Sequence, residues 1–213
     1  MLARVLPMTL LAMGLAVSPG LDQVLERWPG DSLLAPLRRY EAQHRHGVEA
    51  AEAAQLLGDL HLTRGEYRLA ADAYARAAAG FDPARKDEAR YREGIAWLGV
   101  PDPRRARAVL GEVGRESAAR RAEAALGIAQ AWIAERQPER ALALLNRLVA
   151  QNPGEAGAAA LERLASLADR LGQPAQARAA RARLHREYPR SFEALGVGPD
   201  GDPPGTTGPG SRP

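Results

Sequence analysis

The sequence predicts an all-α chain: a solenoid of about four helical hairpins, with a capping helix ahead of them and a disordered tail behind. Three observations carry this. Ala70, Ala106, Ala141 and Ala177 recur at spacings of 36, 35 and 36 residues. Twelve places before each stands a small residue, Gly58, Gly94, Ala129 or Ala165, and nine places before lies a column holding His61, Trp97, Trp132 and Ala168. Breakers punctuate the pattern, with Pro103, Pro138 and Pro174 sharing the column where a second helix begins. Self-similarity at this period marks an array of helical hairpins.

Residues 1–20 have the order of a secretory signal peptide: Arg4, an apolar run from Val5 to Val17, then Ser18-Pro19-Gly20. The run is shorter than the ~20 apolar residues that cross a bilayer, and Pro7 interrupts it, so no transmembrane segment is expected after cleavage. Cleavage after Gly20 places Ser18 and Gly20 at the two small-residue positions and starts the mature chain at Leu21. The expected location is therefore the periplasm or outside the cell. With no cysteine in the chain, neither a lipid anchor nor a disulfide is expected. If the leader is only an apolar start, the protein stays cytoplasmic.

Residues 21–50 read as a capping segment. Trp28-Pro29-Gly30-Asp31 is a turn, and Asp31 or Ser32 can cap a helix through Leu33, Leu34, Leu37 and Tyr40. Such a helix shields the exposed first face of a repeat array. The array spans 51–195, with repeats at about 51–84, 87–120, 122–155 and 158–191.

The small columns have a physical cause, because two antiparallel helices cross closely only where their side chains are small. Apolar residues at intervals of three and four fill the seam, as in Leu142, Leu145, Leu148 and Val149. The hairpin turns fall at Thr63-Arg64-Gly65-Glu66, Gly99-Val100-Pro101-Asp102-Pro103, Arg136-Gln137-Pro138 and Leu171-Gly172-Gln173-Pro174. Proline is tolerated in a first helical turn, where its missing amide has no intrahelical partner. In the last repeat Arg181 takes the column of Tyr74, Leu110 and Leu145. With Arg178, Arg183, Arg186 and Arg190 it reads as a polar cap, or as an arginine-rich binding surface. Residues 196–213, rich in glycine and proline, cannot bury apolar surface and form the tail.

These residues resemble the tetratricopeptide repeat family, whose hallmark is a leucine–glycine pair, an aromatic, an alanine in the second helix and a closing proline. The first unit carries it most fully, with Leu57-Gly58, His61, Gly65, Tyr67, Ala70, Tyr74, Ala77 and Pro83. The pattern is broken at Glu93, where an aliphatic residue is usual, and in the alanine-heavy fourth copy. The segments Leu148–Pro153 and Leu184–Ser191 look like bacterial envelope members, the outer-membrane-protein assembly lipoproteins and the Tol–Pal-associated division coordinator. The coordinator has a coiled coil, whereas 21–46 shows no sustained heptads.

Catalytic chemistry finds no purchase. His44 and His46, two apart, point to different helix faces and cannot chelate together. His61 belongs to an inward column, and no nucleophile elbow, phosphate loop or zinc pattern occurs. Trp97 and Trp132 read as core, and no cofactor or metal is expected. Formal charge is +3, but arginines alternate with carboxylates and Lys86 is the only lysine, so nucleic acid is not the expected partner.

The resemblance implies a groove lined by first helices that receives a peptide or helix. On that face stand Gln55, Asp59, Tyr91, Ile95, Leu98, Leu126, Gln130, Ile133, Glu162, Ser166 and Asp169. The expected function is a non-catalytic protein-binding scaffold in the bacterial envelope. Two alternatives stay open: an accessory subunit of a cell-wall-processing system, or a cytoplasmic regulator of the same family.

Overall fold

The computed structural model describes residues 18–28, 30–44, 47–114, 118–151, 154, 156–191, 193 and 194. Residues 1–17 of the expected leader and 195–213, which include the expected tail, lie outside them, as do His46 and Asn152-Pro153. Among the described residues there are ten α-helices and no strand. They are α1 Pro19–Arg27, α2 Leu34–Gln43, α3 Val48–Thr63, α4 Tyr67–Gly80, α5 Pro83–Leu98, α6 Pro103–Leu110, α7 Ala118–Ala134, α8 Pro138–Ala150, α9 Ala156–Arg170 and α10 Pro174–Glu187. None of the described helices is long and apolar enough to cross a membrane. The chain forms two compact units that divide after Arg120.

In the first unit the cap comprises two helices rather than the single one expected. Helix α1 begins at Pro19, ahead of the expected cleavage point, and Leu21 is fully buried. Gly30–Leu33 forms a 3₁₀ turn that runs into α2. The N-cap of α2 is Leu33, at the end of that 3₁₀ turn, and its side chain makes no cap hydrogen bond. Leu21, Leu33, Leu37 and Tyr40 pack with Ala53, Leu56, Leu57, Leu60 and Ala73, so the cap buries apolar surface of the first hairpin.

That hairpin, α3 with α4, closes at the predicted columns. Ala70 is fully buried, and a Cβ on Gly58 would stand 2.6 Å from Tyr74 Cε1. Gly94 meets the Leu110 side chain in the same way in the second hairpin. Asp82 caps α5, accepting from the amides of Ala84 and Arg85 at 3.1 and 3.0 Å. Helix α6 stops at Leu110, although its repeat is placed at about 87–120. Gly111 and Gly114 end it, the latter at φ 89°, and the Gly114 amide donates to the buried Asp87 carboxylate at 3.1 Å.

The second unit contains most of α7 and all of α8–α10 around one core. Ala129, Ala141, Leu145, Leu161, Ala165, Ala177 and Leu184 belong to it, all buried. Pro103, Pro138 and Pro174 each open the second helix of a hairpin, as their column predicts. Three of the hairpin turns share a left-handed residue: Gly65, Arg136 and Gly172 have φ of 72°, 58° and 69°. Each precedes an amide that reaches back to the aromatic-column carbonyl, from Glu66 to His61, Gln137 to Trp132 and Gln173 to Ala168, all at 2.9 Å. The equivalent position in the second hairpin is Pro101, whose ring forbids positive φ, and there Asp102 donates to Val100 at 2.7 Å instead.

Candidate partner-binding face

In the first unit the expected groove residues come from α3 and α5. Gln55 does not line an open face: it is 4% exposed, on a helix packed by α2 on one side and α4 on the other. Asp59 is the centre of a network. Its Oδ1 accepts from the Tyr74 hydroxyl at 2.6 Å and from Arg92 Nη1 at 2.8 Å. Arg92 Nε donates to Glu88 Oε1 at 2.8 Å, and Arg120 Nε lies 2.5 Å from the other oxygen of Glu88. The Arg120 guanidinium also stands 5.1 Å from the centre of the Tyr91 ring.

Burial pushes the Asp59 carboxyl above the usual carboxylate range, and the Tyr74 and Arg92 hydrogen bonds pull it back. The same burial, reinforced by the Asp59 charge, holds the Tyr74 phenol far above its ordinary value. Burial works against the Arg92 charge, but Asp59 and Glu88 outweigh it and keep the guanidinium protonated. Asp59, held by Tyr74 and Arg92, thus ties α3, α4 and α5 together. Tyr91, Ile95 and Leu98 are half-buried beside this network. Glu93, the departure from the repeat pattern, accepts from Trp97 Nε1 at 3.4 Å, and burial raises its carboxyl above the ordinary range.

The second unit holds two adjoining clefts. One, of about 330 Å³, is bordered by Glu162, Ser166, Asp169, Arg170 and Arg181 over the buried Ala165 and Leu184. The other, of about 220 Å³, is bordered by Gln130, Ile133, Arg163 and again Glu162, Ser166 and Arg170, over Ala129, Leu145 and Leu167. Five groove residues expected from sequence, Gln130, Ile133, Glu162, Ser166 and Asp169, are brought together here. Leu126 is not among them: it is 7% exposed in the core of this unit, and its carbonyl accepts from Arg163 Nη1 at 3.1 Å. Arg181 pairs with Asp169 across the first cleft, so the arginine that replaces a core residue closes one end of the face. Glu162 borders both clefts and has no ion pair or hydrogen bond with any described residue.

The tryptophan column divides. Trp97 is 5% exposed and core, as expected, whereas Trp132 is only half-buried at the edge of its core. Both rings share a feature that sequence reading missed. Arg105 stands 5.0 Å from the Trp97 ring and Arg140 4.7 Å from the Trp132 ring, so each ring offers a face to a cation. Both arginines sit two places after the helix-opening proline, a column visible in the sequence but not distinguishable there from solvated surface. His61 is buried, with Nδ1 2.5 Å from Glu66 Oε2, and His44 stacks on Tyr40 at 4.0 Å between ring centres. Among the described residues no cluster of His, Asp and Glu could hold a metal ion.

Two tetratricopeptide repeat models match the chain, one over residues 101–164 and one over 159–191. The matches support the tetratricopeptide repeat family. They cover the proline column and both clefts, and the hairpins α7–α8 and α9–α10 fall within them. No curated protein matches the chain. Tetratricopeptide repeats suggest a protein–protein interaction scaffold, and such proteins are usually non-catalytic.

Proposed function

We propose that the protein is an exported, non-catalytic scaffold of the bacterial cell envelope that holds a peptide or helix against α7, α9 and α10. The observation that carries this is Glu162, a half-buried carboxylate shared by two adjoining clefts and unpaired among the described residues. A half-buried carboxylate without a partner among the described residues can accept charge-assisted hydrogen bonds from a cation of a bound segment. Beside it the half-buried Ile133, over Leu145, offers an apolar seat. The fitting occupant is an amphipathic segment with a basic side chain for Glu162 and an aliphatic or aromatic one for Ile133. The leader-like first twenty residues and the envelope-like repeat endings support export to the envelope.

A photo-crosslinking amino acid at the exposed Ser166 tests the site. It should capture a partner from envelope fractions, and Glu162→Arg and Ile133→Asp should each weaken binding of that partner at least tenfold without lowering Tm. Binding that survives both changes but fails on Arg178→Ala and Arg186→Ala, with steep salt dependence, would place recognition on the basic last helix instead.

A further inference from the structure

We propose that the occupant of this face is an α-helix lying antiparallel to α9, with an acidic residue followed two turns later by a basic one. This rests on the reading of Glu162 above and deepens it. Three side chains border both clefts: Glu162, Ser166 and Arg170. They stand at i, i+4 and i+8 on α9 and so form one row, with its ends about 12 Å apart along the axis. The row is a ridge between the clefts, one opening toward Arg181 and Leu184 of α10, the other toward Gln130 and Ile133 of α7. The ridge is bipolar. The Arg170 side chain, like that of Glu162, has no ion pair or hydrogen bond with any described residue. At that separation the two do not reach each other, since an ion pair needs about 4 Å. Their charged neighbours are already engaged, Asp169 by Arg181 and Arg163 by the Leu126 carbonyl. A free carboxylate and a free guanidinium are thus held at a fixed spacing, with only the small, exposed Ser166 between them.

The form of the occupant follows from the two clefts. An extended strand turns alternate side chains away and presents a single row to a surface. A helix presents two adjacent rows, which fall on either side of a ridge. Two clefts flanking one ridge therefore fit a helix, and Ser166 allows its backbone to approach. Residues seven or eight apart on that helix span about 10.5–12 Å and reach both charges. Direction follows from electrostatics. With the helices antiparallel their macrodipoles oppose, and the acidic residue facing Arg170 lies nearer the N-terminus of the bound helix. The basic residue facing Glu162 then lies nearer its C-terminus, so both charges also suit its own dipole. A parallel helix needs the reverse order, which its dipole disfavours. Helix α9 itself carries this charge order, but its leucines, Leu161, Leu164 and Leu167, are all buried in its own core. A second copy of the chain therefore brings no apolar rows on α9 to fill the clefts, and the occupant is a different, amphipathic helix.

A displayed library of amphipathic helical peptides of about 20 residues, randomised on one face and selected on the full chain, tests this. Selected sequences should carry an acidic residue seven or eight places before a basic one. Such a peptide should bind at least tenfold more tightly than the same peptide with its two charges exchanged. Glu162→Arg combined with Arg170→Glu should reverse that preference. Glu162→Gln and Arg170→Gln, which keep size and shape, should each shrink it, and unchanged thermal unfolding shows that every variant folds. Selection of a basic residue alone, sensitive to Glu162→Gln but not to Arg170→Gln, overturns the bipolar helix and leaves the Glu162 reading standing. Selection of the reverse charge order does the same. Peptides whose binding ignores all of these variants overturn both. Self-association in sedimentation that either glutamine variant abolishes and the double reversal retains makes a second copy the occupant, and that also overturns the proposal.

Discussion

Tyr74→Phe isolates the network that joins the first two hairpins. The ring is fully buried against Gly58, and phenylalanine keeps that packing, so only the hydroxyl is lost. That hydroxyl donates to Asp59 Oδ1 at 2.6 Å. Hydrogen bonds to charged groups contribute about 1.5–3 kcal/mol. The Asp59 side chain is 20% exposed, so water replaces part of the loss and the lower end, about 1.5–2 kcal/mol, is expected. At about 2–4 °C per kcal/mol for a chain of this size, Tm should fall by about 3–8 °C at pH 7. The pH dependence has a definite sign. Burial raises the folded pKa of Asp59, so its contribution is fully present below the unfolded value of about 3.9 and is lost as pH rises through the folded value. Tyr74 opposes that rise, and without it the loss on ionisation grows. The variant should therefore be most compromised at neutral pH. Near pH 3 the gap should shrink to that of a neutral hydrogen bond, about 0.5–1.5 kcal/mol. Thermal unfolding followed by far-ultraviolet circular dichroism at both pH values gives the answer. An unchanged Tm at pH 7, or a deficit of equal size at both, refutes the coupling of Tyr74 to an ionised Asp59.

Arg136→Gly should stabilise the protein by about 0.5–1 kcal/mol, because the left-handed residue at this turn is glycine in two sister hairpins; a lower Tm would show that the arginine side chain compensates its backbone. Trp97→Ala should cost about 3–5 kcal/mol in urea unfolding, and Trp132→Ala clearly less, since its ring is only half-buried; equal losses would contradict this ordering. Gly94→Ala should cost about 1–3 kcal/mol as the new methyl drives into Leu110, and a neutral result in the same titration would mean that the leucine moves aside freely.

The hairpins were legible because their determinants are local and periodic. Ala70, Ala106, Ala141 and Ala177 are each 0% exposed, and each helix-opening proline stands where its column placed it. The cap was less legible: α1 has no repeat partner to reveal it, and its start overlaps the leader pattern. The candidate face was legible only as a side of the first helices. Period alone does not say how deep a position sits, so Gln55 and Leu126 fit the groove pattern although both are buried. Nor does it disclose partners: Asp59 looks available in the sequence, yet it is held by Tyr74 and Arg92. The Arg105 and Arg140 stacks were missed for a related reason. An arginine on a helix face looks solvated until the ring opposite is known to expose its face.

The arginine content takes on a different meaning once the contacts are traced. Arg76 pairs with Glu41, Arg85 with Glu52, Arg90 with Glu112, and Arg92 with both Asp59 and Glu88. Most of these pairs join different helices, so they act as ties between layers and cancel charge where it arises. Such a distribution gives a basic composition without the uncompensated field that draws a phosphate backbone. Recognition is then expected where compensation fails. In the second unit Asp169 is answered by Arg181, but Glu162, between two clefts and next to Ile133, is not answered by any described residue. Charge reversal at that one position should therefore disturb partner choice more than neutralising any of the paired arginines, which would loosen the fold first.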